Sequence, residues 1–170
     1  MKRIAALWGV GGVIMLLLYA VVRLYPKSLA AFDFSFSWYH WLAFAVNILF
    51  MAYSEGYKGF QVNFSPRVVA RAKYLSNHAK PYQLFFAPLF CMGFFDAPKR
   101  RRISTLVLTI MIIILVIIFQ WLPQPWRGIL DAGVVVGLTW GILATLAYTI
   151  QAMITKQFIH DPEVPGYEVT

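Results

Sequence analysis

The sequence predicts an all-α integral membrane protein. It has four transmembrane helices, a short amphipathic helix on the cytoplasmic side, and one apolar segment that does not cross. Three observations predict this. The 170 residues are 60% hydrophobic and 13% charged, more apolar surface than a soluble domain of this length can hide. Four apolar runs, near 4–22, 38–55, 103–122 and 129–153, match the roughly 20 residues a helix needs to cross a hydrocarbon core of about 30 Å. The basic residues between these runs are strongly biased to one side, which orients the chain. The whole of 1–170 reads as a single polytopic domain.

The first run, Ile4–Val22, follows Met1-Lys2-Arg3. A secretory signal starts the same way, and Ser28-Leu29-Ala30 resembles a cleavage site. The length of the run, and Arg23 and Lys27 before that site, favour an uncleaved signal anchor. Gly9, Gly11 and Gly12 thin one part of it, and Tyr19, Arg23, Tyr25 and Pro26 mark its outer end. After a short loop, Trp38-Tyr39-His40-Trp41 suits the headgroup layer, where rings with an apolar body and a polar tip collect. The second run ends near Tyr53–Tyr57, and Asn47 at its middle is expected to face another helix.

Residues 56–102 form the main cytoplasmic loop. Ser65-Pro66 reads as a helix start, with Ser capping and Pro in the first turn. Val68, Val69, Ala72 and Leu75 form an apolar arc, with Arg67 and Arg71 on another side and Lys73 flanking, which predicts a helix flat on the membrane surface. Tyr82–Phe95 is apolar but only about 14 residues, roughly 21 Å as a helix. Pro88 interrupts it and Gly93 is a second weak point, so a re-entrant or interfacial segment is expected.

Charge counting supports that choice. With a non-spanning segment, one side carries Lys2, Arg3, Lys58, Arg67, Arg71, Lys73, Lys80, Lys99, Arg100, Arg101, Arg102 and Lys156, 12 of the 15 cations, and the other carries Arg23, Lys27 and Arg127. A spanning segment would make the division 8 to 7 and translocate Lys99–Arg102. The positive-inside rule prefers the first arrangement, with both termini cytoplasmic in an inner (cell) membrane. Asp96-Ala97-Pro98 then starts the third span, whose core Leu106–Phe119 lacks a polar stripe and is expected to face lipid over much of its circumference. Trp121, Pro123, Pro125 and Trp126 make a tight outer turn before the fourth span, and the tail 158–170 reads as flexible.

Gly133, Gly137 and Gly141 recur at four-residue steps and are continued by Thr145 and Thr149, a small-residue face suited to close helix packing. Glu55, at the inner end of the second span, is expected either to pair with Lys58, Arg67 or Arg71 or to act as a ligand. Asp131 suits a helix N-terminus, four residues from Arg127. Arg67, Arg71, Lys73, Lys99, Arg100, Arg101 and Arg102 are candidates for anionic headgroup contact.

The sequence supplies no catalytic motif. His40, His78 and His160 lack metal-ligand spacing, there is no phosphate loop or nucleophile elbow, and the single Cys91 sits in an apolar stretch. No metal or cofactor is expected. The net charge of +8 comes without a nucleic-acid-binding module, so lipid rather than nucleic acid is the expected anion. The leading expectation is a non-enzymatic accessory or scaffold protein whose basic cytoplasmic face meets anionic lipids or other membrane subunits. The alternative is a small transporter or lipid-handling protein with a cavity near Asn47 and Glu55, and a membrane enzyme ranks third.

Overall fold

The computed structural model describes residues 2–78, 81–155 and 160–165. Lys80 and Lys156 of the charge count, and 158–159 and 166–170 of the expected flexible tail, lie outside the described residues. Every described element is helical. In order they are α1 (Lys2–Leu29), a 3₁₀ turn (Ala30–Asp33), α2 (Trp38–Met51), a π-helical segment (Ala52–Phe64), α3 (Ser65–His78), α4 (Pro81–Phe85), α5 (Ala87–Met92), α6 (Lys99–Gln120) and α7 (Trp126–Ile154).

Among the described residues three stretches are long and apolar enough to cross a membrane: Ile4–Asp33, Lys99–Gln120 and Trp126–Ile154. The fourth expected run differs. Its α-helical part, α2, has 14 residues, and the chain then winds as a π-helix for 13 residues before returning to α geometry in α3. Trp38–His78 is therefore one unbroken helical run, not a span followed by a loop.

α1 and α7 form the centre. α7 packs against α1, α2, the π segment and α3, while α1 also receives α3 and α5. α1 outlasts its expected end at Val22 because its last turns are held by protein. An added Cβ on Gly128 of α7 would lie 2.4 Å from the Ala31 Cβ and 2.9 Å from the Lys27 carbonyl oxygen, so the two backbones touch there. The helix runs through Pro26 before reaching this contact.

The main apolar core lies at the other, basic end. It joins Ala5, Val10 and Val13 of α1, Val68, Ala72 and Leu75 of α3, and Ala87, Phe90 and Cys91 of α5. This corrects the expected surface helix. α3 is embedded in the bundle, with Val68 and Leu75 fully buried, and its arginine side is also enclosed at Arg71. Ser65 does not cap it either, because the helix has no free N-terminus there; its Oγ donates instead to Thr145 Oγ1 at 2.9 Å, the threonine hydroxyl being committed to the Gly141 carbonyl at 2.8 Å.

Tyr82–Phe95 folds as two short helices. Pro88 starts α5 rather than breaking it, in keeping with proline's tolerance in a first helical turn. Gly93, at φ 86, stops α5: its N–H donates to the Phe90 carbonyl at 2.9 Å and the Phe94 N–H to the Leu89 carbonyl at 3.2 Å, the pair of bonds that closes a Schellman stop. Asp96 does not cap α6, whose N-cap position is Pro98; it takes a left-handed φ of 49 and its carboxylate accepts bonds from Tyr82 Oη and Gln83 Nε2 at 2.9 and 2.7 Å. α6 has no buried residue and rests lightly on α7.

α5 docks on α1 across its glycines. A Cβ on Gly12 would lie 2.3 Å from Pro88 Cγ, and one on Gly9 would lie 2.7 Å from Cys91 Sγ, whereas one on Gly11 would meet nothing within 4 Å. Gly12→Leu should therefore lower the thermal unfolding temperature in detergent, at a cost of about 1–3 kcal/mol from overpacking. Gly11→Leu, with the same change in helix propensity, should leave it nearly unchanged; equal effects would show that α5 is not seated on α1.

Candidate functional site

Two groups of polar residues stand out, one along the crossing of α7 with the Trp38–His78 run, the other at the basic end.

In the crossing, the small face of α7 is buried: Gly133, Gly137, Gly141 and Thr145 all lie inside the bundle. The partner helix meets this four-residue ladder in two different steps. Asn47 and Met51 sit over Gly133 and Glu55 over Gly137, a step of four. Phe60 then sits over Gly141 and Ser65 bonds Thr145, a step of five. A π-helix bonds N–H(i) to C=O(i−5), so residues five apart share a face. The π segment thus keeps the helix on the ridge of α7. Its glycine Gly56 also lets the Trp140 ring approach, a Cβ there falling 3.0 Å from the indole.

Asn47 Nδ2 donates to the Ile129 carbonyl at 2.7 Å, so the residue faces another helix and is packed, not set in a cavity. An open groove of about 500 Å³ lies elsewhere, lined by Gln61, Trp140, Leu143, Ala144, Ala147, Tyr148 and Gln151, without Asn47 or Glu55. Trp140 Nε1 donates to Gln61 Oε1 at 2.8 Å across it. Glu55 is half-buried against Gly137, with its Oε2 3.1 Å from where a Cβ would stand, and it makes no ion pair among the described residues. Its three expected partners are engaged otherwise. Lys58 Nζ lies 5.1 Å from the Tyr53 ring centroid, Arg67 Nε donates to the Asn63 carbonyl, and Arg71 is turned into the basic end.

Arg71 is the centre of that end. It is 3% exposed, and its guanidinium reaches five carbonyls. Nε donates to Phe90 at 2.6 Å, Nη1 to Pro162 at 3.0 Å and Glu163 at 3.3 Å, and Nη2 to Phe95 at 2.8 Å and Asp96 at 3.0 Å. The same group stacks over the Phe90 ring, 4.1 Å from its centroid. Burial lowers its pKa, but an arginine starts high enough to stay charged. Burial likewise lowers that of Arg67, and the nearby Arg101 adds to the effect while Glu163 opposes it.

Part of the expected flexible tail is held here. Pro162 is buried under Arg71, Val164 packs on the core, and Glu163 forms a bidentate pair with Arg101, at 2.7 Å to Nε and 3.0 Å to Nη2. The hydrogen bond from Arg101 pulls the Glu163 carboxyl below its ordinary pKa, against the effect of burial. Of the seven cations expected to meet headgroups, Arg71 is thus internal and Arg101 is paired. Lys73 Nζ lies 3.4 Å from the Thr155 carbonyl. Lys99, Arg100 and Arg102 are exposed and form no ion pair among the described residues. Cys91 is buried and its thiol is pushed up to about 12 by burial, so it is packing, not a nucleophile. The described residues contain no group of His, Cys, Asp and Glu able to hold a metal ion.

At the opposite end, Arg127 Nε and Asp131 Oδ2 stand 3.7 Å apart and buried, where α7 begins. Sequence reasoning missed Gln61 and Gln83, and the carbonyl role of Arg71, because each depends on partners far away along the chain.

The chain matches no protein-family model, no curated protein and no solved structure.

Arg71→Gln should strip donors from several of these carbonyls, at about 1–3 kcal/mol for the buried groups left unmet. Limited proteolysis should then open α5 and the tail before the long helices; unchanged protection would show that apolar packing alone holds them. The Glu163 pair has a definite pH sign. Because the folded pKa is depressed, its contribution is complete above the ordinary glutamate range and fades as pH falls through the folded value. Tail protection should weaken on acidification below the ordinary glutamate value in the wild type, and this step should be missing in Glu163→Gln.

Proposed function

We propose that this protein is a non-enzymatic accessory or scaffold protein of the cytoplasmic membrane, presenting its basic end to anionic lipid headgroups or partner membrane subunits. One observation carries the reading. Lys99, Arg100 and Arg102 stand exposed and unpaired among the described residues, at the start of an apolar helix with no buried residue. Cations so placed sit at headgroup depth, where each contributes about 1 kcal/mol near an anionic leaflet.

In this reading the first part of the Trp38–His78 run, near 38–55, supplies a fourth crossing, the rest of the run is cytoplasmic, and α4 and α5 form the non-spanning segment. Both termini are cytoplasmic. The bias of the basic residues supports this orientation, and the shortness of α4 and α5 supports a segment that does not cross.

A second reading, a small transporter or lipid-handling protein, is favoured by Glu55. Its carboxylate lies on a π-helix, a conformation often found at functional positions, without an ion-pair partner among the described residues.

Native mass spectrometry of protein released from mixed-lipid nanodiscs should show retained anionic lipid. The Lys99→Gln/Arg100→Gln/Arg102→Gln triple variant should lose most of that enrichment without unfolding. No enrichment in the wild type would overturn the headgroup reading. A protein-dependent solute or proton flux that Glu55→Gln abolishes would put the transporter reading first.

A further inference from the structure

The tail contact has a feature that fold stability alone does not require. Glu163 brings one negative charge to the basic end, where Arg101 and Arg71 both bond it and Arg67 is close enough for its charge to act on the carboxyl. Arg101 grips its carboxylate through two parallel bonds. Arg71 Nη1 bonds the carbonyl of the same residue. Arg67 lies one turn before Arg71 on α3, its Nε is committed to the Asn63 carbonyl, and its terminal amino groups bond no acceptor among the described residues. Asp161, whose Oδ1 accepts the Glu163 N–H at 2.7 Å, and Asp96 beside Arg71 bring two more carboxylates, so the positive excess at this end comes from Lys99, Arg100 and Arg102 at the start of α6.

The backbone of Glu163 is strained as well. Its φ is 50, in the left-handed region that a residue with a Cβ seldom occupies, between Pro162 and Val164. The carboxylate is therefore held by the arginines rather than delivered by a relaxed chain. Arg101 and Glu163 remain about one-third exposed, so the pair is open to competition.

We infer that Arg67 and Arg101 form an anion site for a phosphate monoester, and that Glu163 occupies it as a resident carboxylate which such a group displaces. A planar guanidinium that holds a carboxylate through two bonds fits phosphate oxygens in the same way. A monoester carries close to two charges and three acceptor oxygens. It can satisfy Arg101 and Arg67 together, which one carboxylate does not. A phosphodiester headgroup has a single charge and gains little over the intramolecular glutamate. The chemistry is shared by a phosphatidic acid headgroup and a soluble phosphate monoester. The lipid source rests on the reading that places the basic end at headgroup depth, where Lys99, Arg100 and Arg102 flank the site.

The test uses the full chain with Pro165→Cys carrying an environment-sensitive fluorophore; the buried Cys91 does not compete for label. The labelled protein is placed in nanodiscs of phosphatidylcholine alone, with phosphatidylserine, or with phosphatidic acid, and inorganic phosphate is titrated into the first. Phosphatidic acid should shift the signal, and phosphatidylserine at matched charge should not. Glu163→Gln should start in the shifted state and need about tenfold less phosphatidic acid for half-occupancy by native mass spectrometry, since self-occupancy no longer reduces the competent fraction. Arg67→Gln/Arg101→Gln should lose this binding while keeping the wild-type circular dichroism spectrum. Release by millimolar inorganic phosphate would support the site and identify a soluble source.

If neither phosphate moves the label, or if Glu163→Gln binds phosphatidic acid no better than the wild type, the site is overturned, even where anionic lipid enrichment persists. If enrichment is absent but inorganic phosphate releases the tail, the headgroup reading falls and the site stands.

Discussion

One buried guanidinium organises the basic end of this protein. A charge at 3% exposure is costly unless its surroundings answer it, and here five backbone carbonyls and one aromatic face do so. Those carbonyls belong to α5, to the turn after it and to the tail. Arg71 satisfies their acceptors and so defines where each can sit. The apolar core of α1, α3 and α5 assembles around that arrangement. Asp96, released from capping α6, closes the outer part by accepting from Tyr82 and Gln83.

The second constraint is geometric. α7 offers a straight ladder of small residues, and a long helix can follow it only if its own contact residues stay on one face. Asn47, Met51 and Glu55 do this at steps of four, the winding changing at Ala52 between the last two; Phe60 and Ser65 then follow at steps of five. The polar contacts lie within this packed seam: Asn47 to the Ile129 carbonyl, Ser65 to Thr145. They specify the register of the crossing, because a shift of one residue would set Asn47 or Phe60 against a side chain instead of a glycine.

Much of this was legible in the sequence. The all-helical membrane character followed from apolar runs, and the four-residue step of Gly133, Gly137 and Gly141 was enough to place one buried face. The winding of 52–64 was not legible, since Gly56, Gly59 and Asn63 are residues that ordinarily end helices, and only the fit to α7 keeps them in one. Arg71 read as a surface cation because its partners are main-chain carbonyls up to 92 residues distant, which leave no trace in side-chain patterning. Pro88 and Pro66 misled in opposite directions: the first begins a helix where a break was expected, and the second continues one where a start was expected. In both cases the neighbouring packing, invisible locally, decided.

α6 stands apart from these constraints. No residue of Lys99–Gln120 is buried, and beyond the Arg101 pair with Glu163 little protein holds it. Its apolar character along a length of about 33 Å, with cations at one end and Trp121 at the other, is what a surrounding bilayer would select. The apolar residues of Leu106–Phe119 are consequently interchangeable with one another in a way that those of α7 are not. A helix that meets only lipid leaves the order of its Ile, Leu, Val and Met free to drift over time, while its length stays tied to the thickness of the bilayer it crosses.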